Sequence, residues 1–273
     1  MHKKTLIFTD LDGTLLDHYT YQTTEAEDTI KKLKQHDIAI IPNSSKTLPE
    51  ILLIRKQLDL NSPFIIENGA AVYIPVNYFK KQPEETQLQG DYWVKSFCQD
   101  KDHWLSVLAT NAMSFKPWFT GFSEMDEQQV ARLTGLNIDN ASLAKQRQYS
   151  EPLDWFGSKQ QQTEFISLMQ SLGANVLEGG RFLHISGACD KGQAQQWLTA
   201  VYEDQLIDNE PAISIALGDG KNDIAMLEQA TIAVQIRSPV HEFTHLKRTN
   251  NVYQSQQYGP AGWAECLNEI LSL

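Results

Sequence analysis

Cysteine is scarce: among 273 residues there are three, Cys98, Cys189 and Cys266. They are widely spaced and odd in number, which excludes a disulfide framework and a Cys-x-x-Cys metal site and points to a reducing compartment. Positive charge is also short, with 23 Lys and Arg against 34 Asp and Glu and a net charge of −11. A field of that sign repels polyanions, so neither nucleic acid nor an anionic membrane surface is expected as a partner. An anionic substrate must then be attracted locally, by a metal or a few basic residues. Long apolar runs are missing as well. The run after Lys3 and Lys4 stops at Asp10, short of a signal-peptide core, and no window reaches the length of a membrane span, so a cytoplasmic protein is expected. No internal repeat or low-complexity tract is visible. What is present is a chain of 41% hydrophobic residues, long enough for one large core or two smaller ones.

The chain is organised around Thr5 to Thr14, TLIFTDLDGT. An apolar strand delivers Asp10 to its carboxyl end, alternation sends Asp10 and Asp12 the same way, and Gly13 lets the chain bend. Two acids so placed can divide a covalent reaction: Asp10 attacks an electrophile, while Asp12 protonates the leaving oxygen and then takes a proton from water. An Asx-turn at a strand end is the plainer alternative. An EF-hand is excluded, since Gly13 comes too early and no Glu closes a loop. Helical spacing over 25–35 and an apolar run over 38–42 complete a βαβ unit, whose right-handed crossover brings Ser44 beside Asp10. A helix over 48–58, a strand over 63–66, a turn at Glu67-Asn68-Gly69 and a strand over 70–74 extend the doubly wound pattern. The polar tract 80–91 breaks it. Segments 104–112, 127–133 and 160–172 read as helices among short strands. The alternation resumes with a helix over 193–203, a strand over 213–217, a helix over 221–229 and a final short strand over 231–234. The expected fold is therefore α/β: a doubly wound, mostly parallel, Rossmann-like sheet core from residues 1–82 and 188–273, with a smaller α/β cap of residues 83–187 inserted.

The second chemical signal is Ser214 to Asp223, SIALGDGKND, an acidic loop at the end of a strand. A dinucleotide fingerprint is excluded, because the third Gly is absent and acids would repel a pyrophosphate. With Asp10 nearby, Asp219 completes an oxygen cage for Mg²⁺, and Asp223 and Asn222 are close enough to ligate or to hold waters. Taken alone, such a loop is more often a plain Asp-Gly turn. Ser44 offers a hydroxyl and backbone N–H groups to a phosphoryl oxygen, and Lys191 offers an ammonium; singly, a helix cap and a solvated charge explain them. The four segments come in the order that puts them on one edge of one sheet.

Asp10-Leu11-Asp12-Gly13-Thr14, Ser44, Lys191 and Gly218-Asp219-Gly220-Lys221-Asn222-Asp223 resemble the four motifs of the haloacid dehalogenase superfamily. The resemblance implies that Asp10 becomes a phospho-aspartate and that Asp12 is the general acid and base. It also implies that Mg²⁺ binds Asp10, the main-chain carbonyl of Asp12 and Asp219. An Asp at position 12 resembles phosphatases and mutases more than ATPases, and the insertion resembles the cap of the sugar-phosphatase branch. Within that branch, Asn43 to Thr47, the run from Thr134 to Pro152, Gly180 to His184 and Gly259 to Trp263 are similar to the mannosyl-3-phosphoglycerate phosphatases. Gly220 departs from the pattern, where many members carry Ser, and should leave the metal intact.

A glycosyl phosphoglycerate carries a carboxylate and sugar hydroxyls besides its phosphate. Arg181, Arg147 and Lys46 answer the carboxylate, Glu151 the hydroxyls, and Ser45 lies in the same Asn43–Thr47 stretch. The plainer readings are a strand-edge charge for Arg181 and an exposed helix-end charge for Arg147. His241-Glu242-Phe243-Thr244-His245 formally matches the H-E-x-x-H zinc motif, but the surrounding stretch lacks a helical apolar pattern. The expectation is a Mg²⁺-dependent phosphomonoester hydrolase for a small phosphorylated sugar compound. A broad sugar-phosphate phosphatase and a catalytically silent ligand-binding member are the alternatives.

Overall fold

A near-continuous apolar run followed by an acid makes a strand buried on both faces, and β1 (Thr5–Thr9) is one, with Leu6, Ile7, Phe8 and Thr9 fully covered. The computed structural model describes residues 4–179, 182–205 and 211–273. In chain order, β1 is followed by α1 (Glu27–Gln35), β2 (Ala39–Pro42), α2 (Leu48–Gln57), β3 (Phe64–Ile66), β4 (Ala71–Pro75), β5 (Gln87–Gln89) and β6 (Tyr92–Ser96). Then come α3 (Lys101–Asn111), β7 (Phe119–Gly121), α4 (Glu127–Thr134), α5 (Ile138–Lys145), β8 (Glu151–Trp155), α6 (Lys159–Ser171), β9 (Asn175–Gly179) and β10 (Phe182–Ser186). The chain closes with α7 (Lys191–Asp204), β11 (Ile213–Gly218), α8 (Ile224–Gln229), β12 (Ile232–Arg237), β13 (Val252–Tyr258) and α9 (Gly259–Leu271).

The chain divides into two compact units, one of Met1–Ser44, Leu60–Lys95 and Asp190–Leu273, the other of Ser45–Asp59 and Ser96–Cys189. The first holds a five-stranded sheet in the order β13-β12-β11-β1-β2, parallel throughout. Thr9 registers with Leu217 and with Pro42, so the residues after β1, β2 and β11 leave the sheet at one edge. Helices α7 and α8 pack together, as do α1 and α9. This is the expected doubly wound core, with two corrections. The segment 63–66 does not extend the sheet: Asn43 and Ile65 share one isolated bridge, and β3 pairs antiparallel with β4 in a separate sheet ordered β3-β4-β6-β5. The strand at 232–237 is not the last either, since β13 adds a further parallel edge. Its YQSQQY sequence, mostly exposed, carries none of the alternation that marks a half-buried strand.

The polar tract 80–91 runs into a hairpin of β5 and β6, with Gly90 in the left-handed region at φ +57°. All three β5 residues are exposed, Leu88 between two polar Gln residues among them.

The second unit is built on an antiparallel sheet in the order β7-β8-β10-β9. Trp104 and Leu108 of α3 and Phe165 and Met169 of α6 close over Phe119, Leu153, Leu183 and Ile185 of the sheet. A smaller cluster of Phe122, Met125, Val130 and Ala141 joins α4 to α5. Each of these helices has its own start signal: Asp100, Asp126, Asn137 and Ser158 accept N–H bonds as caps. Asp100 explains why α3 starts at Lys101 rather than at Trp104, three residues before its first buried side chain.

Candidate active site

Asp10 leaves β1 with its N–H donated to Leu217 O at 2.9 Å, which locks the start of the loop to β11. The chain then folds back tightly: Thr14 N and Leu16 N both donate to Leu11 O, and Gly13 N donates to Leu16 O. Gly13 has φ +79°, and a Cβ there would lie 2.7 Å from Asp219 Oδ2, so both conformation and space demand glycine. On β11 the chain ends at Gly218, and a short 3₁₀ turn, Lys221–Asp223, brings Asp223 back under the strand end. Asp223 Oδ2 accepts from the N–H groups of Asp219 (3.1 Å) and Gly220 (2.9 Å), fixing the acidic loop.

The three carboxylates of Asp10, Asp219 and Asp223 offer oxygens within 4.8 Å of one another. Lys191, wholly buried at the start of α7, donates from Nζ to Asp10 Oδ1 at 2.5 Å and to Asp223 Oδ1 at 2.6 Å. One ammonium thus faces three acids. Burial pushes the Asp10 carboxyl up to about 7, and repulsion from Asp223 adds to this against the pull of Lys191. Burial and the charge of Asp10 likewise push Asp219 up to about 6. Asp223 is raised by burial in spite of Lys191. Burial alone would lower the Lys191 ammonium, but the two carboxylates outweigh it and hold the group above the ordinary lysine value. The pocket is short of positive charge, and hard carboxylate oxygens at this spacing suit Mg²⁺. The residues present therefore fit that cation: Asp10, Asp219 and Asp223 would hold it, and it would offset the excess negative charge. The Asp12 carboxylate is not part of the triad, and Asp12 is less buried than Asp10.

Ser44 is fully buried after β2, but its N–H donates to Ile65 O at 3.1 Å. The expectation that Ser44 offers its own N–H to an oxyanion is corrected: the isolated bridge to β3 takes that donor. Asn222 donates from Nδ2 to Asn68 Oδ1 at 3.0 Å. That bond shows what sequence reasoning missed. Glu67 and Asn68 are both left-handed and Gly69 has φ +92°; a Cβ on Gly69 would lie 2.1 Å from Asp190 O. The turn therefore presses directly on the start of α7 while Asn68 holds the acidic loop. From inside, Asn43 Nδ2 donates to Lys191 O at 3.0 Å. The Glu-Asn-Gly tripeptide was the available signal, legible as a turn but not as a brace.

Thr14 Oγ1 lies 3.4 Å from Asp219 Oδ1, and His241 Nε2 lies 3.4 Å from Asp219 Oδ2. Residues 241–245 form no helix, so the two histidines of the H-E-x-x-H match lack the shared helical face that a zinc site needs. His241 also lines a cavity of about 530 Å³ with Arg237, Ser238, Phe243 and Tyr258.

In the second unit, Arg147 is 8% exposed, donating from Nε to Ser150 Oγ and from Nη2 to Ser45 O, both at 2.8 Å. The reading of Arg147 as an exposed helix-end charge is thereby corrected. Glu151, 1% exposed, accepts at Oε1 from Ser123 N (2.8 Å) and Ser123 Oγ (2.7 Å). Lys46 Nζ lies 3.6 Å from Glu50 Oε1. Arg181 lies outside the described residues.

A family model of haloacid dehalogenase-like hydrolases matches residues 7–246. A glucosyl-3-phosphoglycerate/mannosyl-3-phosphoglycerate phosphatase of Methanococcoides burtonii is 33% identical over 268 residues, covering 98% of this chain and 97% of its own. The protein of the same name from Persephonella marina is 32% identical over 270 residues, with 98% and 97% covered. Among solved structures, a Bacteroides thetaiotaomicron protein described with phosphatases of the haloalkanoate (HAD) enzyme superfamily superposes with TM-score 0.67 at 15% identity, covering 100% of this chain and 97% of its own. No helix among the described residues is long and apolar enough to cross a membrane. The chain belongs to the haloacid dehalogenase-like hydrolases, as one of their phosphatases.

Proposed function

We propose that this phosphatase hydrolyses a glycosyl-3-phosphoglycerate, with glucose or mannose as the sugar, through a phospho-aspartate on Asp10. The observation that carries the chemistry is the single buried ammonium of Lys191 bridging Asp10 and Asp223 within a triad of acids. The similarity to two phosphatases of that name, 33% and 32% identical over 98% of this chain, supports the substrate.

An oxygen of Asp10 attacks phosphorus as the bond from phosphorus to the C3 oxygen of the glycerate breaks, and Asp12 gives that oxygen its proton. Asp12 then takes a proton from a water that attacks the phosphoryl group, releasing inorganic phosphate and regenerating the Asp10 carboxylate. Lys191 holds Asp10 in place and balances charge on the phosphoryl oxygens, and the Ser44 hydroxyl donates to one of them. Asp10, Asp219 and Asp223 would hold Mg²⁺, with Asn222 and Asp12 beside them, and the ion would supply the remaining positive charge. Selection of the leaving group falls to the second unit, where Ser45, Lys46 and Arg181 are the candidates for the carboxylate. Arg147 and Glu151 already have partners within the chain, which supports positioning roles for them. A reducing, cytoplasmic setting suits three thiols.

Purified protein assayed with mannosyl- and glucosyl-3-phosphoglycerate, in Mg²⁺ and in EDTA, should hydrolyse either at least about tenfold more efficiently than a hexose phosphate lacking the carboxylate. Asp10→Asn should be inactive yet folded. Equal kcat/KM for both substrate classes would leave a broad sugar-phosphate phosphatase. Failure to trap the phosphoryl group on Asp10, read as homoserine at that position after borohydride reduction of the acid-quenched enzyme, would remove the covalent step.

A further inference from the structure

Cys98 and Cys189 are 91 residues apart in sequence, yet their sulfur atoms lie 3.4 Å apart within the second unit. The long segment of that unit runs from Ser96 to Cys189, so the pair sits beside its two chain crossings, two residues inside one and at the very end of the other. The contact is built by close backbone approach. Gly187 has no Cβ, and one placed there would lie 2.4 Å from the Cys98 Cβ. The segment 187–189 is also pinned, with Cys189 N donating to Gly187 O at 2.8 Å and Asn175 Nδ2 to Cys189 O at 3.4 Å. Cys98 is half-buried and Cys189 is 4% exposed, so Cys98 is the more accessible residue of the pair. Cys266 provides the contrast: it lies in the first unit, and burial, with Glu265 and Glu269 nearby, pushes its thiol up to about 12.

We infer that Cys98 and Cys189 are a reversible thiol–disulfide modification site, closing an intramolecular bond across the two crossings when the thiol pool becomes oxidised. The sulfur atoms need approach by only about 1.4 Å to reach disulfide bonding distance, a shift within reach of side-chain rotation. The oxidant is a low-molecular-weight disulfide of the glutathione type. The Cys98 thiolate attacks one of its sulfurs, forming a mixed disulfide and expelling one thiolate. The Cys189 thiolate then attacks the Cys98 sulfur, forming the protein disulfide and expelling the second. The two protons given up by the protein thiols end on the two released thiols, so two protein thiols are oxidised and one small disulfide is reduced.

The test uses the full chain equilibrated with mixtures of reduced and oxidised glutathione, quenched with acid and alkylated, then digested without reduction. The expected result is one Cys98–Cys189 linked peptide whose yield rises with the oxidised fraction and disappears on adding dithiothreitol, while Cys266 stays alkylatable. Oxidised wild type should unfold at least about 4 °C higher than reduced, a shift missing from Cys98→Ser. Gly187→Ala should lower the linked yield several-fold at the same glutathione ratio by pushing the segments apart. Glutathione adducts on Cys98 without a linked peptide, or Cys189 alkylated equally at every ratio, would overturn the proposal. The readout is a peptide mass, so its failure and that of the substrate assignment are separate.

Discussion

The two units treat their buried carboxylates in opposite ways. In the second unit Glu151 stands alone and receives both the N–H and the hydroxyl of Ser123. In the first unit Asp10, Asp219 and Asp223 crowd within 4.8 Å and share one ammonium. All four carboxyls are raised, and burial is the largest cause in each; only in the first unit do neighbouring acids add to it. A carboxylate supplied with its own donors is a packing element. A group of them left short of positive charge is a place that attracts a cation, and that shortfall is the physical basis of the function proposed above.

The largest effect should come from breaking the charge balance at its centre. Lys191→Ala would leave Asp10 and Asp223 buried without their ammonium, so hydrolysis should fall on the order of a hundredfold or more. Stability should fall by about 3–5 kcal/mol in the absence of Mg²⁺. Saturating Mg²⁺ should restore part of the stability and little of the rate. Chemical denaturation with and without Mg²⁺, beside kcat, separates the two; unchanged kcat would mean Lys191 takes no part in the reaction.

The next effect is the pH dependence of the same cluster. A carboxyl with a raised folded-state pKa contributes stability that is present below its unfolded value and lost as pH rises through the folded value. Asp10 moves from 3.8 to about 7, so metal-free wild type should lose stability between about pH 4 and pH 7, and Asp10→Asn, left with the raised carboxyls of Asp219 and Asp223 alone, should lose less. The gap between the two should widen by on the order of 2 kcal/mol or more across that window. Mg²⁺ should stabilise wild type more at pH 7.5 than at pH 5.5, because protons compete for the same oxygens. A pH-independent gap would mean that Asp10 is not held against its charge.

That cluster was legible in the sequence because Asp10 and Asp219 follow apolar strands and Lys191 opens a helix where the alternation resumes, so that periodicity and chain order suffice to bring the three to one edge. Parts that act through a single long-range contact were not. Asn43, Asn68 and Gly69 read as loop residues, since nothing local says that Asn43 will meet the Lys191 carbonyl or that Gly69 will meet Asp190. The same limit applies to β13, whose polar sequence hides an edge strand, and to β3, whose apolar run fits either sheet. His241 shows the converse: a local motif suggested zinc, whereas the fold puts the ring beside Asp219.

A smaller effect is expected at Arg147, where the second unit uses charge to hold structure. Removing the guanidinium in Arg147→Ala leaves Ser150 Oγ and Ser45 O without donors they now receive, and should cost about 1–3 kcal/mol. Activity toward p-nitrophenyl phosphate should stay within about twofold once the variant is folded, since the bonds of Arg147 to Ser150 and Ser45 lie within the second unit. Loss of discrimination for the carboxylate-bearing substrate without loss of stability would reverse the assignment and make Arg147 a substrate contact.

The smallest effect, at Glu151, tests whether an acid can be raised for structural reasons alone. Its carboxyl lies above the ordinary glutamate value because burial outweighs the two Ser123 donors and the more distant Lys101 and Arg147. Glu151→Gln keeps an oxygen able to accept both Ser123 bonds and removes the charge. Near pH 4 the two side chains are both neutral and the proteins should be equally stable. As pH rises, wild type must ionise a buried group that gains no net benefit from folding, so the Gln variant should become the more stable of the two. Mg²⁺ should not alter that difference, in contrast to Asp10→Asn, because among the described residues Glu151 belongs to no cluster of acids that could hold a cation. Thermal unfolding of both proteins from pH 4 to pH 8, with and without Mg²⁺, measures this directly. A difference that collapses on adding Mg²⁺ would place Glu151 in a second cation-attracting cluster and erase the contrast between the two units.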